Sequence, residues 1–232
     1  MKRILITILL LATFVPLSAQ FIIGWSGGYA PNRELNREIY VYNAINGHNL
    51  DKKMGEVHWY QGPVVGIRLP RDGGYVELLY NRKRSKVSSD FDSSGVAMNR
   101  ELKTLLNTWN FGFGFGNDLW TIGGSFDVGR YKGFGRRGTS SGIGDLPWDR
   151  IWTLDNTRIL FISVRTVITE TIFVERHFGF MNVRLFAQFP GVSTEMDGLD
   201  GWLFGSDLNY AKAQKQRPFN VGAMITLSIG GR

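Results

Sequence analysis

The segment running from Phe219 to Gly230 changes character at almost every step. Phe219, Val221, Ala223, Ile225, Leu227 and Ile229 are apolar, while Asn220, Gly222, Thr226 and Ser228 are small or polar. Successive side chains of a β-strand point to opposite faces, so this segment has one greasy face and one mild face. A chain built from such segments must fold as a sheet that keeps its two faces in different surroundings.

The same period recurs along the chain. Phe21, Ile23, Trp25 and Tyr29 alternate with Gly24, Ser26 and Gly28 in a first segment. A second, 58–69, sets Trp59, Val65, Ile67 and Leu69 on one face, and Arg71-Asp72-Gly73-Gly74 reads as a tight hairpin turn. A third, 75–84, sets Val76, Leu78 and Tyr80 against Glu77 and Asn81. In the fourth, Trp109, Phe111, Phe113 and Phe115 oppose Asn110, Gly112, Gly114 and Gly116. The fifth sets Trp120, Ile122, Phe126 and Val128 against Thr121, Gly123, Ser125, Asp127 and Gly129. A sixth strand is expected over 157–169, with a short link at 171–178. The seventh, 179–189, sets Met181, Val183, Leu185, Ala187 and Phe189 against Asn182, Arg184 and Gln188, and residues 219–230 make the eighth. The connections alternate as well. Those at 31–57, 85–99, 133–156 and 190–218 are long and polar; those between them are short.

The N-terminus reads as a signal peptide over 1–19. Lys2 and Arg3 precede the apolar run 4–15, and Leu17-Ser18-Ala19 offers a small-residue cleavage site before Gln20. That run is shorter than the stretch of about 20 residues a helix needs to span a bilayer. Residues 20–232 then form one domain. The chain has no cysteine, so nothing in it suggests a disulfide-stapled scaffold. Its 29 glycines, 16 phenylalanines and 7 tryptophans suit tight turns and pleated surfaces. Mean hydropathy is only −0.11, as expected if alternate residues alone meet lipid. The net charge of +7 is dispersed, which argues against nucleic acid for an exported chain. Anionic lipid headgroups or lipopolysaccharide phosphates suit it better, and simple surface solubility accounts for it with fewer assumptions.

Strict alternation, alternating loop lengths and an export signal together predict an all-β fold. It is an eight-stranded antiparallel up-and-down transmembrane β-barrel with long external loops and short periplasmic turns. A soluble sandwich or ligand-binding barrel would bury the Phe and Trp face and carry more charge on the other. On this architecture, residues 21–230 resemble the family of small eight-stranded outer-membrane barrels of Gram-negative bacteria. The resemblance implies an outer-membrane location with both termini in the periplasm. One departure is the ending Ile229-Gly230-Gly231-Arg232, where such barrels often finish on an aromatic.

With the aromatic face outside, Arg68, Glu77, Asn81, Thr108, Asn110, Ser125, Asp127, Arg165, Asn182, Arg184 and Gln188 point inward. Unpaired buried ions are costly, so Glu77 and Asp127 are expected to engage Arg68, Arg165 or Arg184. Such a network either plugs the lumen or lines a narrow anion-favouring pore, and the small lumen of eight strands favours the plug. Tyr75, Phe115 and Trp120 are expected at the periplasmic interface, and Tyr29, Trp59 and Tyr80 at the external one.

Motifs with chemistry are few. Asp90, Asp92, Ser94 and Glu101, with Gly95, match the spacing of a calcium-binding loop, but the basic run 82–86 is no entering helix. His48, Asp51, Glu56 and His58 share a loop without metal-ligand spacing. Ser26 or Ser206 with His58 lacks a nucleophile motif. No catalytic residue, cofactor or metal follows. The expected role is non-enzymatic: a barrel working through its external loops in envelope integrity, surface binding or as a subunit of an outer-membrane complex. The alternatives are the narrow pore and a rim-located lipid- or peptide-modifying enzyme.

Overall fold

The structure, a computed structural model, describes residues 19–93, 95–151, 166–196, 199–204, 215–217 and 219–230. Residues 1–18 of the expected signal peptide (1–19), Ser94, Arg165 and Ser206 lie outside them. Eight long strands carry the fold: β1 (Gln20–Tyr29), β2 (Trp59–Arg71), β3 (Gly74–Ser93), β4 (Val96–Gly116), β5 (Trp120–Thr139), β6 (Thr166–Phe178), β7 (Met181–Pro190) and β8 (Asn220–Ile229). Each pairs antiparallel with its neighbour in sequence, and β1 pairs with β8 over Phe21↔Ile229 to Tyr29↔Val221, so the sheet closes on itself. Closure removes the free edges that an open sheet exposes. Two hairpins at the short-turn end place glycines in the left-handed region, Gly73 (φ 74°) and Gly179 (φ 68°). No helix among the described residues is long and apolar enough to cross a membrane.

The facing follows the sequence pattern. Phe111, Phe113, Ile122, Phe126, Ile172, Leu185, Ile225 and Ile229 are exposed on the outer wall. Asn81, Thr108, Asn110, Ser125, Asp127, Asn182, Arg184 and Gln188 are buried inside it. Greasy outside and charged inside is the reverse of a water-soluble core, and it is the arrangement of a transmembrane barrel.

Four expectations need correction. The sixth strand takes in the expected link: β6 runs Thr166–Phe178, sharing 166–169 with the expected strand and including all of 171–178, while 157–165 lie outside the described residues. Its inner row of Thr169, Thr171, Phe173, Glu175 and His177 mixes an aromatic with charge, which blurs the contrast between faces. The polar stretch 85–99 is not a loop, nor is the start of the expected loop 133–156, because β3 and β4 stay paired up to Ser93↔Val96 and β4 and β5 up to Met98↔Thr139. Above the apolar band the outward residues become Arg82, Arg84, Lys86 and Ser88 on β3 and Asn107, Leu105, Lys103 and Glu101 on β4, so hydropathy stops alternating while pairing continues. Tyr75 is not an interfacial aromatic either, since it is buried and points into the lumen.

The long connections fold. After β1 the chain forms α1 (Arg33–Asn46), and after β7 it forms α2 (Leu199–Phe204). Leu35, Ile39 and Tyr42 of α1 pack with Met54, Val57, Tyr60, Leu102, Leu106, Tyr131, Val167, Leu199 and Leu203 in one buried core. The upper inner walls of β2, β4, β5 and β6 are therefore roofed by the loops. A second, smaller cluster of Ile22, Val64, Leu79, Phe173, Phe186 and Met224 fills the lumen below.

Candidate functional site

The centre of the barrel is a quartet of two arginines and two glutamates. Arg68 on β2 and Glu77 on β3 are cross-strand partners, as are Glu175 on β6 and Arg184 on β7. The two pairs come from opposite walls, and their side chains meet across the lumen. Arg68 reaches Glu175 at 2.8 Å and Arg184 reaches Glu77 at 2.6 Å, while the within-wall pairs close at 2.9 Å and 2.8 Å. Each carboxylate thus meets both guanidiniums, the condition under which buried ions are tolerated. Tyr75 completes the set: its hydroxyl donates to Glu175 Oε1 at 3.1 Å and accepts from Arg184 at 3.1 Å. The guanidinium carbons of Arg68 and Arg184 lie 3.8 Å from the ring centres of Tyr75 and Phe173 respectively.

Glycine makes the room. A Cβ added at Gly114 would meet the Tyr75 ring at 2.7 Å, one at Gly123 the Phe173 ring at 2.5 Å, and one at Gly112 the Glu77 side chain at 3.0 Å. The Phe-Gly alternation of β4 therefore serves both faces, with bulk toward the outside and space toward the quartet.

Of the residues expected in the lumen network, Arg68, Glu77 and Arg184 come together. Asp127 does not join them. Its carboxylate accepts instead from Ser125 (2.7 Å), Thr171 (2.5 Å), Thr169 (3.3 Å) and Gln188 (2.8 Å). Neutral donors from β5, β6 and β7 satisfy it, because its position on β5 lies higher in the barrel than the arginines. The buried Lys83 ammonium lies nearby, 4.4 Å above the Phe186 ring. The sequence reading missed Glu175, which fell in the supposed link, and Lys83, which fell at the end of a supposed strand. Correct placement of β6 would have found Glu175 by alternation alone.

The lumen narrows at this level. Beside Lys83, Asn81 and Gln188 a cavity of about 20 Å³ remains, room for about one water. Below the quartet, at the short-turn end, the barrel opens into a mouth of about 910 Å³ lined by Arg68, Tyr75, Thr121, His177, Asn182 and Ser228. There His177 Nδ1 donates to Asn182 Oδ1 at 2.7 Å, and the Thr121 hydroxyl sits 2.8 Å from Nε2.

The roof is held by polar ties as well as by its core. Asn36 and Asn43, two turns apart on α1, each bond a returning backbone. Asn36 accepts from Val57 N at 2.7 Å, and Asn43 pairs with Met54 through both N–H and C=O at 2.9 and 2.8 Å. Arg100 on β4 donates to Leu203 O at 2.7 Å and lies over the rings of Tyr42 and Trp202. At the base of the roof the Tyr60 hydroxyl accepts from Asn32 and Thr104, which directs its own proton to Tyr131 Oη at 2.8 Å.

The remaining motifs fall apart geometrically. Asp90 accepts from Asn99 across the β3–β4 hairpin, and Asp92 caps the turn at Gly95 N at 2.6 Å. Glu101 is held by Lys86 and Arg136, each at 2.6 Å. These carboxylates ride a flat ladder rather than wrapping a cation. His58 contacts Glu56 through Nε2, stacks on Tyr29 and takes a hydrogen bond from Asn36, while His48 and Asp51 are exposed elsewhere. Among the described residues no three His, Cys, Asp or Glu side chains cluster as metal ligands. Ser26 is buried and pairs with Gly62, four positions from His58, so the two do not form a dyad.

No protein-family model and no curated protein matches this chain. Among solved structures, it is similar to that of Ail, the attachment invasion locus protein of Yersinia pestis, crystallised with the heparin analogue sucrose octasulfate. The identity is 11% and the TM-score 0.41, over 90% of this chain and 95% of that one.

Proposed function

We propose that this chain is a non-enzymatic integral outer-membrane β-barrel acting through the surface of its roof of loops, in envelope integrity, surface binding or as a subunit of an outer-membrane complex. The roof carries this reading. Connections that merely joined strands would need no shared core, yet these bury Leu35, Ile39, Tyr42, Leu199 and Leu203 together. A packed core fixes the surface above it, and a fixed loop surface on a rigid barrel suits recognition. The outer side of α1 leaves Tyr40 and Ile45 exposed beside Arg33 and Arg37. The outer-membrane setting is supported by the apolar wall and by the closed sheet, whose eight strands pair around the whole circumference. In this reading the long-loop end faces outward and both termini lie in the periplasm.

The absence of native cysteine makes the test direct. Tyr40→Cys should react with a membrane-impermeant maleimide on intact cells, and Asn117→Cys only after permeabilisation. Labelling in the opposite order would invert the barrel and remove the roof from the cell surface. Affinity purification in mild detergent, repeated with Tyr40→Ser and Ile45→Ser, then asks whether a partner depends on the roof. The neutral quartet favours a plug over an anion pore, so planar-bilayer recordings should show no steady conductance. A stable anion-selective current would overturn the plug. Envelope lipids and peptides should be unchanged by His58→Ala.

A further inference from the structure

On β3, β4 and β5 the outward face changes chemistry at the same rung. The last apolar rung is Tyr80↔Trp109↔Val128, with the Tyr80 and Trp109 rings 5.0 Å apart. The next outward rung toward the long-loop end is Arg82↔Asn107↔Arg130, then Arg84↔Leu105↔Lys132, then Lys86↔Lys103↔Phe134. Arg82, Arg84 and Arg130 are exposed and have no carboxylate partner among the described residues. On these three strands the outward acid nearest in register, Glu101, is already shared by Lys86 and Arg136. The centre of the Trp148 ring lies 3.8 Å from Lys103 Nζ, 4.5 Å from the Arg136 guanidinium carbon and 5.8 Å from Lys86 Nζ. Burial, and then the like charges of Arg136, Arg82, Arg84 and Lys86, hold the Lys103 ammonium below its usual value.

Among the eight wall strands as described, the field is one-sided. At the upper ends of the other strands the outward residues are Tyr29, Trp59, Gln61, Ile168, Glu170, Phe189 and Val221, none of them cationic. General solubility would not confine the outward cations at the upper ends of the eight wall strands to β3, β4 and β5, nor place those of β3 and β5 immediately above the apolar band.

We propose that this face docks the phosphorylated headgroup of a lipopolysaccharide-type glycolipid, with its acyl chains along Trp109, Phe111 and Phe126 and its phosphates on Arg82, Arg84 and Arg130. The proposal rests on the membrane reading above. Arginine suits it because a planar guanidinium binds phosphate oxygens two at a time. Arg82 and Arg130 stand two strands apart, about 10 Å, and Arg82 and Arg84 are about 7 Å apart along one strand. One phosphodiester brings a single charge to one point of such a field. A sugar headgroup carrying two phosphates meets several points together.

The test uses the full mature chain in phosphatidylcholine nanodiscs, titrated with bisphosphorylated lipid A, dephosphorylated lipid A and phosphatidylglycerol, with bound lipid counted by native mass spectrometry. Bisphosphorylated lipid A should be retained selectively, and weakened by added salt. Arg82→Gln, Arg84→Gln and Arg130→Gln should each weaken retention about tenfold, and Arg71→Gln at the short-turn end should not. Circular dichroism in phosphatidylcholine should find the triple variant folded like the wild type. Equal retention by the folded triple variant, or equal binding of phosphatidylglycerol, would overturn the assignment. Failure of the wild type to insert into nanodiscs would overturn the membrane reading, and this proposal with it.

Discussion

Arg184 and Glu77 stand on opposite walls of the barrel, yet their side chains meet at 2.6 Å. With the matching contact from Arg68 to Glu175, also made across the lumen, they tie β2 and β3 to β6 and β7. Strand pairing alone holds a barrel's circumference; these contacts hold its diameter. Arg184→Met leaves two buried carboxylates to share Arg68. Removing one partner of a buried ion pair costs about 3–5 kcal/mol. Urea unfolding in lipid vesicles should show a loss of that size. Adding Glu77→Gln to Arg184→Met leaves Arg68 and Glu175 balanced and should restore part of the stability. Additive losses would mean the cross-lumen contact carries no coupling.

Gly114 gives the Tyr75 ring its place in the quartet. A side chain there meets Tyr75 at 2.7 Å and Thr121 at 2.5 Å, so Gly114→Val must displace both. Overpacking of this kind costs about 1–3 kcal/mol. Gly144→Ala, with nothing within 4 Å of the new Cβ, should be silent by the same vesicle measurement. A silent Gly114→Val would show that the lumen is looser than these distances imply.

The barrel was legible because its signal is local. Within the apolar band each strand states its own facing, as Phe113 against Gly114 does, and closure follows from eight such strands. The roof was not legible, because α1 draws its stability from partners far along the chain, such as Leu102 and Leu203. Its sequence, with Asn36 and Asn43 on the inner side, reads as a polar loop until the backbones of Val57 and Met54 arrive to bond them. The quartet was half legible. Arg68, Glu77 and Arg184 follow from alternation, but Glu175 lay in a segment whose inner row of Thr169, Thr171, Phe173 and His177 mixes aromatic with polar and so reads as a link rather than a strand.

Glu101 gives the roof side of the barrel an acid-sensitive clasp. Burial opposes its ionised form, but hydrogen bonds and charge from Lys86 and Arg136 outweigh that and hold it below the ordinary value of 4.5. A carboxylate with a lowered folded pKa stabilises fully above its unfolded value and loses that contribution as pH falls through the folded one. Tryptic cleavage of the β3–β5 extension should therefore speed up on acidification below about pH 4.5 once corrected for the protease's own pH profile. Glu101→Gln should cleave faster at neutral pH and show a flatter pH dependence. An unchanged profile in the variant would leave Lys86 and Arg136 without a role in holding the extension.

The facing of the wall can be read residue by residue. Phe113 is 48% exposed on the outer wall, whereas Thr226 is 2% exposed in the lumen, 3.5 Å from Asn182 Nδ2. An arginine near the bilayer midplane on the lipid side costs about 2–4 kcal/mol, so Phe113→Arg should impair insertion or lower stability in vesicles by that amount. Thr226→Ser keeps the hydroxyl and loses only a methyl, so it should change little. Single cysteines along 221–228, each carrying a spin label, give an independent reading. Lipid-phase relaxation should be strong at Val221, Ala223, Ile225 and Leu227 and weak at Gly222, Met224, Thr226 and Ser228, in step with their burial. Met224 is the informative position. It is as apolar as its neighbours but packs inside against Ile22 and Phe186. A label that followed hydrophobicity would report lipid at Met224, while one that followed the pleat reports protection there. Protection at the odd-numbered positions instead would mean that the aromatic wall is a buried core and the chain does not sit in a bilayer.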